Sequence, residues 1–177
     1  NKTKFLMNCR LCNEDKKLIK AHIYPAFLYK SLELYFPDPK GQGKLHKAEF
    51  NNNHFHYKNK GLPDGIYDSN ILCRDCDNYF SKEFENYGKK ILFDNANSNR
   101  LVDNSGIELD IFTDVDYTKF KLFMLSIFWR ASISDKFKGT KLKLNQEEEL
   151  RKMLVEKDAK DEEDFGIVLF YLNIPKI

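Results

Sequence analysis

Four cysteines constrain this chain more than any other feature. They are Cys9, Cys12, Cys73 and Cys76, two C-x-x-C pairs with no cysteine left over. Each pair forms a tight turn that presents both sulfurs to one ion, and four thiolates at roughly 2.3 Å are how a structural tetrahedral Zn2+ is held. A thioredoxin-like redox centre explains one such pair beside a strand and a helix start, and leaves the second unexplained. Two disulfides are the remaining alternative, and a reducing compartment disfavours them. A closed four-thiolate shell has no open position, so this zinc is expected to organise the fold and not to activate water.

The rest of the chain supplies material for one core. It has 177 residues, 42% of them apolar and 14% aromatic, enough for a single domain with a small satellite. No run approaches the ~18 uninterrupted apolar residues of a membrane span. The most apolar stretch, Leu122 to Trp129, is flanked by Lys121 and Arg130. The first residues, Asn-Lys-Thr-Lys-Phe-Leu-Met-Asn-Cys, lack an apolar signal core, so a cytoplasmic location without a membrane partner is the expectation. No glycine-rich phosphate loop, Ser-His-Asp set or dinucleotide fingerprint is present.

The formal charge of +2 conceals an asymmetry. Residues 1–60 hold 12 Lys/Arg against 5 Asp/Glu, whereas residues 61–177 hold 17 against 22. The basic part also carries the first cysteine pair and all four histidines, His22, His46, His54 and His56. An anionic ligand for that part follows from the charge, against the simpler reading of a solvated lysine surface.

Patterning divides the chain into a module over residues 1–93 and a second region over 94–177. In the first, Lys17 to Tyr24 alternates as a strand, and Pro25 opens a helix through Ala26, Phe27, Leu28, Leu32 and Leu34. Pro and Gly mark a loop from Pro37 to Gly43 and an irregular stretch from Lys58 to Gly65, with a short hairpin around Phe50, Phe55 and Tyr57; residues 37–66 read as an insertion. Asp77 to Tyr87 has helical spacing, with Gly88 as its stop. In the second region, Ile107 to Phe112 reads as a strand and Tyr117 to Ser134 as an apolar helix with Phe120, Phe123, Met124, Ile127, Phe128 and Ala131 facing a core. Asn145 is expected to cap a helix running to Val155, and Asp164 to Leu172 to form a buried strand. Trp129 and Arg130 fit either a boundary between the two regions or an oligomer interface. The fold class is α+β: a ββα zinc module with an insertion, packed on a mostly helical region with one or two strands, in a homo-oligomer or as part of a longer chain with further domains.

The runs Cys9-Arg-Leu-Cys12, His22-Ile-Tyr-Pro25 and Leu72-Cys-Arg-Asp-Cys-Asp-Asn78 resemble the treble-clef zinc finger of the HNH endonuclease superfamily, over roughly residues 5 to 93. The chain is also similar to bacterial HNH-like proteins associated with phage defence or mobile elements. The resemblance implies a metal-dependent endonuclease that hydrolyses DNA phosphodiester bonds, with His22 as the general base; imidazole, which titrates near neutral pH, suits that task. It further implies Asp77 as ligand to a catalytic Mg2+ or Mn2+, ions that prefer oxygen. Ser81 and Glu85 follow Asp77 at helical spacing, and Glu85 is a second candidate ligand. Asn70 is the nearest match to the asparagine that orients the histidine loop, with Asp68 as its rival, and Arg74 is a candidate clamp on the phosphate. Lys16, Lys17, Lys20 and Lys30, with Lys44, Lys47, Lys58 and Lys60, would meet nucleic-acid phosphates.

One residue departs from the pattern. Ala21 stands where the family usually has a metal-binding Asp or His directly before the catalytic histidine. Either Asp77 and Glu85, or His54 and His56, complete the metal site, or the module is a zinc-stabilised nucleic-acid or protein binding module without catalysis. A purely structural zinc domain is the third reading.

Overall fold

A computed structural model describes residues 8–31, 35–37, 43–51, 54–62, 65–93, 98–106 and 108–169. Among the described residues the fold is α+β, with helices and three small antiparallel sheets. It begins at the first cysteine turn, where Asn13 N–H donates to Cys9 O (2.8 Å) with Asn13 in the left-handed region. A short ribbon follows: β1 (Ala21–His22) pairs with β5 (Tyr67–Asp68), Ala21 opposite Asp68 and His22 opposite Tyr67. The expected strand from Lys17 to Tyr24 is therefore shorter. Its earlier residues bind the second cysteine turn instead, through a Leu18–Cys73 bridge and Ile19 N–H to Leu72 O (2.9 Å).

Between β1 and β5 lie helix α1 (Ala26–Ser31) and a three-stranded sheet of β2 (Tyr35–Pro37), β3 (Gly43–Asn51) and β4 (His54–Leu62). The insertion is thus more regular than its glycines and asparagines suggest, since Lys58 to Leu62 continue β4. Leu32 and Leu34 lie outside the described residues.

After the second cysteine turn the chain forms α2 (Arg74–Phe80), a π turn (Ser81–Glu85) and α3 (Asn86–Phe93) as one continuous helical run. Gly88 does not end it. A Cβ at Gly88 would lie 2.5 Å from the Phe123 ring, so this glycine lets α3 approach α4 (Tyr117–Ile133) closely. Strands β6 (Ser98–Val102) and β7 (Glu108–Phe112) form a ribbon before α4.

Helix α4 is buried along most of its length, and α5 (Leu144–Glu156) packs against it. One apolar cluster unites the two regions: Cys9, Ile23, Leu72, Phe80 and Phe84 from the first with Phe123, Trp129, Leu150 and Met153 from the second. Trp129 accordingly sits at the boundary within the chain, its ring 6.0 Å from Phe80 and its indole N–H donating to Glu147 O (3.1 Å).

The structure departs from three further expectations in the second region. Phe128 lies on the outer face of α4 and is 51% exposed. Helix α5 starts at Leu144, because the Gln146 side chain accepts the Lys143 N–H, and this places Asn145 inside the helix. Over residues 164–169 there is no strand: Phe165 has a φ of 52°, which interrupts extended backbone, and Val168 and Leu169 are exposed. Residues 170–172 lie outside the described residues.

Candidate functional site

The two cysteine turns meet. Ligand atoms of Cys9, Cys12, Cys73 and Cys76 all lie within 4.8 Å of one another, and none of the four is in a disulfide. Sulfurs arranged tetrahedrally at 2.3 Å from an ion are about 3.8 Å apart, so the cluster has the dimensions of a metal site. The turns are laced together through Arg10 N–H to Ile71 O (2.9 Å) and Cys73 N–H to Cys9 Sγ (3.3 Å). The Cys76 thiol beside Cys9 lowers the Cys9 thiol to about 4, with the backbone N–H groups of both turns adding to the effect; the Cys9 thiolate in return pushes Cys76 up. One of the four is thereby held as a thiolate, the form that binds metal.

Both arms leaving this cluster bring polar groups to a common place. The first arm leads to β1 and His22, which is half-buried; the second leads directly into α2 and Asp77, also half-buried. On a regular helix, eight residues from Asp77 to Glu85 would leave the two carboxylates about 80° apart around the axis. The π turn removes most of that offset. Its i→i+5 bond, Asn86 N–H to Ser81 O, takes more residues per turn and swings Glu85 back over Asp77.

Arg130 completes the group from α4. Its guanidinium is 1% exposed, and Nη1 contacts Glu85 Oε1 (2.7 Å) and the backbone oxygen of His22 (2.9 Å). Nε donates to Ser126 O (3.2 Å), and the guanidinium carbon lies 5.1 Å from the centre of the Phe80 ring. Burial pushes the Asp77 carboxyl up and the Glu85 charge pushes it further, while Arg130 and His22 pull it back down. His22, Asp77, Glu85 and Arg130 thus share one electrostatic environment.

Other expected residues lie elsewhere. Asp68 is buried on the side of the ribbon away from His22, accepting from Ser134 Oγ (2.7 Å) and Asn70 N–H (2.9 Å), so its role is to fasten β5 to the end of α4. Asn70 is exposed and lines a cavity of about 260 Å³ with Arg10, Asp68, Ile133 and Glu147, a wall that includes neither His22 nor Asp77. Arg74 is exposed on the first turn of α2. The buried cation of the group is Arg130, which reading by residue type missed. Its signal was available in the spacing, since residues 123, 126, 127 and 130 form one stripe of an apolar helix, and an arginine in such a stripe needs a buried partner.

The lysines divide similarly. Lys16 is bound to Glu14 (2.8 Å) and Asp75 (3.0 Å), which neutralise it, whereas Lys17 is exposed and Lys20 lies 3.7 Å over the ring of Tyr67, the cross-strand partner of His22. The side chains of Lys30, His54 and His56 lie outside the described residues. Among the described residues no helix is long and apolar enough to cross a membrane.

The two carboxylates at the second site, Asp77 and Glu85, suit a hard divalent ion by type. Among the described residues, however, the four cysteines are the group with ligand atoms gathered within 4.8 Å. A looser set still fits Mg2+ or Mn2+, because Mg2+ keeps several waters and is held by one or two carboxylates together with substrate phosphates. No family model matches the chain, and neither a curated protein nor a solved structure is significantly similar to it.

Proposed function

We propose that this chain is an HNH-like endonuclease that hydrolyses DNA phosphodiester bonds, built on a treble clef closed by zinc at Cys9, Cys12, Cys73 and Cys76. One observation carries the reading: Arg130 joins Glu85, on the arm leaving the second cysteine turn, to the main chain of His22, on the arm leaving the first, and Asp77 lies within reach of these charges. His22 takes the proton from the attacking water, and its main chain is held by Arg130 while it does so. Asp77, with Glu85 beside it, would hold a Mg2+ or Mn2+ ion. When bound, such an ion stabilises the negative charge that develops on the phosphate and the leaving oxygen. Lys17 and Lys20, on the chain leading to His22, supply phosphate contacts without reading sequence.

Plasmid nicking tests this function directly. The purified protein with Mg2+ or Mn2+ converts supercoiled plasmid to the nicked form, and a chelator added after zinc loading stops the reaction. Failure to cut any DNA under these conditions contradicts the proposal. A second reading, a zinc-stabilised nucleic-acid binding module without catalysis, is favoured by Ala21, which is fully buried and contributes no ligand. Salt-dependent DNA binding without cleavage would select it.

A further inference from the structure

Glu85 is 18% exposed and its partner Arg130 is 1% exposed, so their ion pair is a fixed feature of the site and not a surface contact. The guanidinium is anchored on three other sides, by the His22 carbonyl, by Ser126 and by the face of Phe80. An arginine guanidinium is a permanent cation in proteins. A cation is therefore built permanently into the place where the proposed reaction needs an added one.

We propose that Arg130 is a resident cation of this site. It positions Glu85 and the His22 main chain, and it cancels one of the two carboxylate charges. Two carboxylates and one guanidinium carry a single formal negative charge between them, so the group by itself attracts a divalent ion weakly. The substrate phosphate supplies the missing negative charge, so ion and nucleic acid enter together, each raising the affinity for the other by the same factor. This inference rests on the reading of the site given above, but its test does not require cutting.

Binding of Mn2+ to the zinc-loaded protein, followed by electron paramagnetic resonance without nucleic acid, reads the charge of the site. Arg130→Met is expected to tighten Mn2+ binding about tenfold and Glu85→Gln to weaken it about tenfold, since a unit charge about 4 Å from a divalent ion shifts its binding by at least that factor. A pair that serves folding alone would move both affinities in the same direction or neither, and either result overturns the proposal. Should Arg130→Met fail to fold, Glu85→Gln decides, and an unchanged affinity overturns it. In a His22→Ala background, a short DNA duplex is expected to raise Mn2+ affinity, and no effect of the duplex contradicts the coupling. Arg130→Lys keeps the charge and loses the fork, so Mn2+ affinity stays near the wild-type value while nicking slows through kcat rather than KM. If the wild type cuts no DNA yet the opposed Mn2+ shifts are found, the nuclease reading fails and the resident cation stands.

Discussion

The guanidinium of Arg130 reaches the backbone oxygen of His22 from a position 108 residues further along the chain, with Nη1 2.9 Å from that oxygen. This bond joins the apolar helix of the second region to the short ribbon of the first. It makes the geometry around His22 depend on how α4 packs, so substitutions well away from His22 have predictable consequences.

Metal removal is the first of these. The four cysteines tie the turn that precedes β1 to the turn that starts α2, and Cys9 and Cys73 are also members of the core. Removing the metal with a chelator, or Cys73→Ser, is expected to abolish the cooperative thermal transition, and the chelator is expected to take up one metal ion per chain, zinc on the proposed reading. An unchanged transition in the metal-free protein would show that packing alone holds the module.

Gly88→Ala weighs two effects of opposite sign. Alanine raises helix propensity by ~1 kcal/mol, but its Cβ would lie 2.5 Å from the Phe123 ring, and overpacking of this kind costs ~1–3 kcal/mol. The net expectation is a destabilisation of about 1 kcal/mol in chemical denaturation, on the same accounting. Gly139, with open space around its Cβ, is the control.

The start of α4 supplies a pH dependence. Asp116 caps the helix by accepting Lys119 N–H (3.0 Å) and also pairs with the Lys119 ammonium, and these bonds hold its carboxyl below the usual range. A depressed carboxyl stabilises the fold above its unfolded value and loses that contribution as pH falls through the folded one. Asp116→Ala is expected to cost about 1 kcal/mol at neutral pH and progressively less in acid. Asp116→Asn retains the cap without titrating, so its stability profile in acid is flatter than that of the wild type.

Much of this was legible from residue order. The C-x-x-C pairs gave the cluster because two residues between cysteines fix a turn that points both sulfurs one way, wherever the pairs lie in the chain. Helix α4 was evident from its apolar density. The carboxylate pair was only half legible, since the spacing of Asp77 and Glu85 suggested a shared side, whereas the π turn that aligns them leaves no mark in the sequence. The placement of Asn70 and Asp68 was not legible for a different reason. Their distance from Cys73 does not say where they face: Asp68 stands opposite Ala21 and turns to Ser134, and Asn70, beyond the end of β5, is exposed. Arg130 depends on tertiary packing, which brings α4 under β1, and no local pattern near His22 points to it.

The most direct test of the account is the nicking rate of His22→Ala beside that of the wild type, at equal zinc content and equal thermal stability. A positioned general base contributes a factor of ~10²–10⁴, so the variant is expected to cut at least about 100-fold more slowly, with DNA affinity unchanged. A His22→Ala protein that nicks plasmid at the wild-type rate would show that His22 does not carry the chemistry.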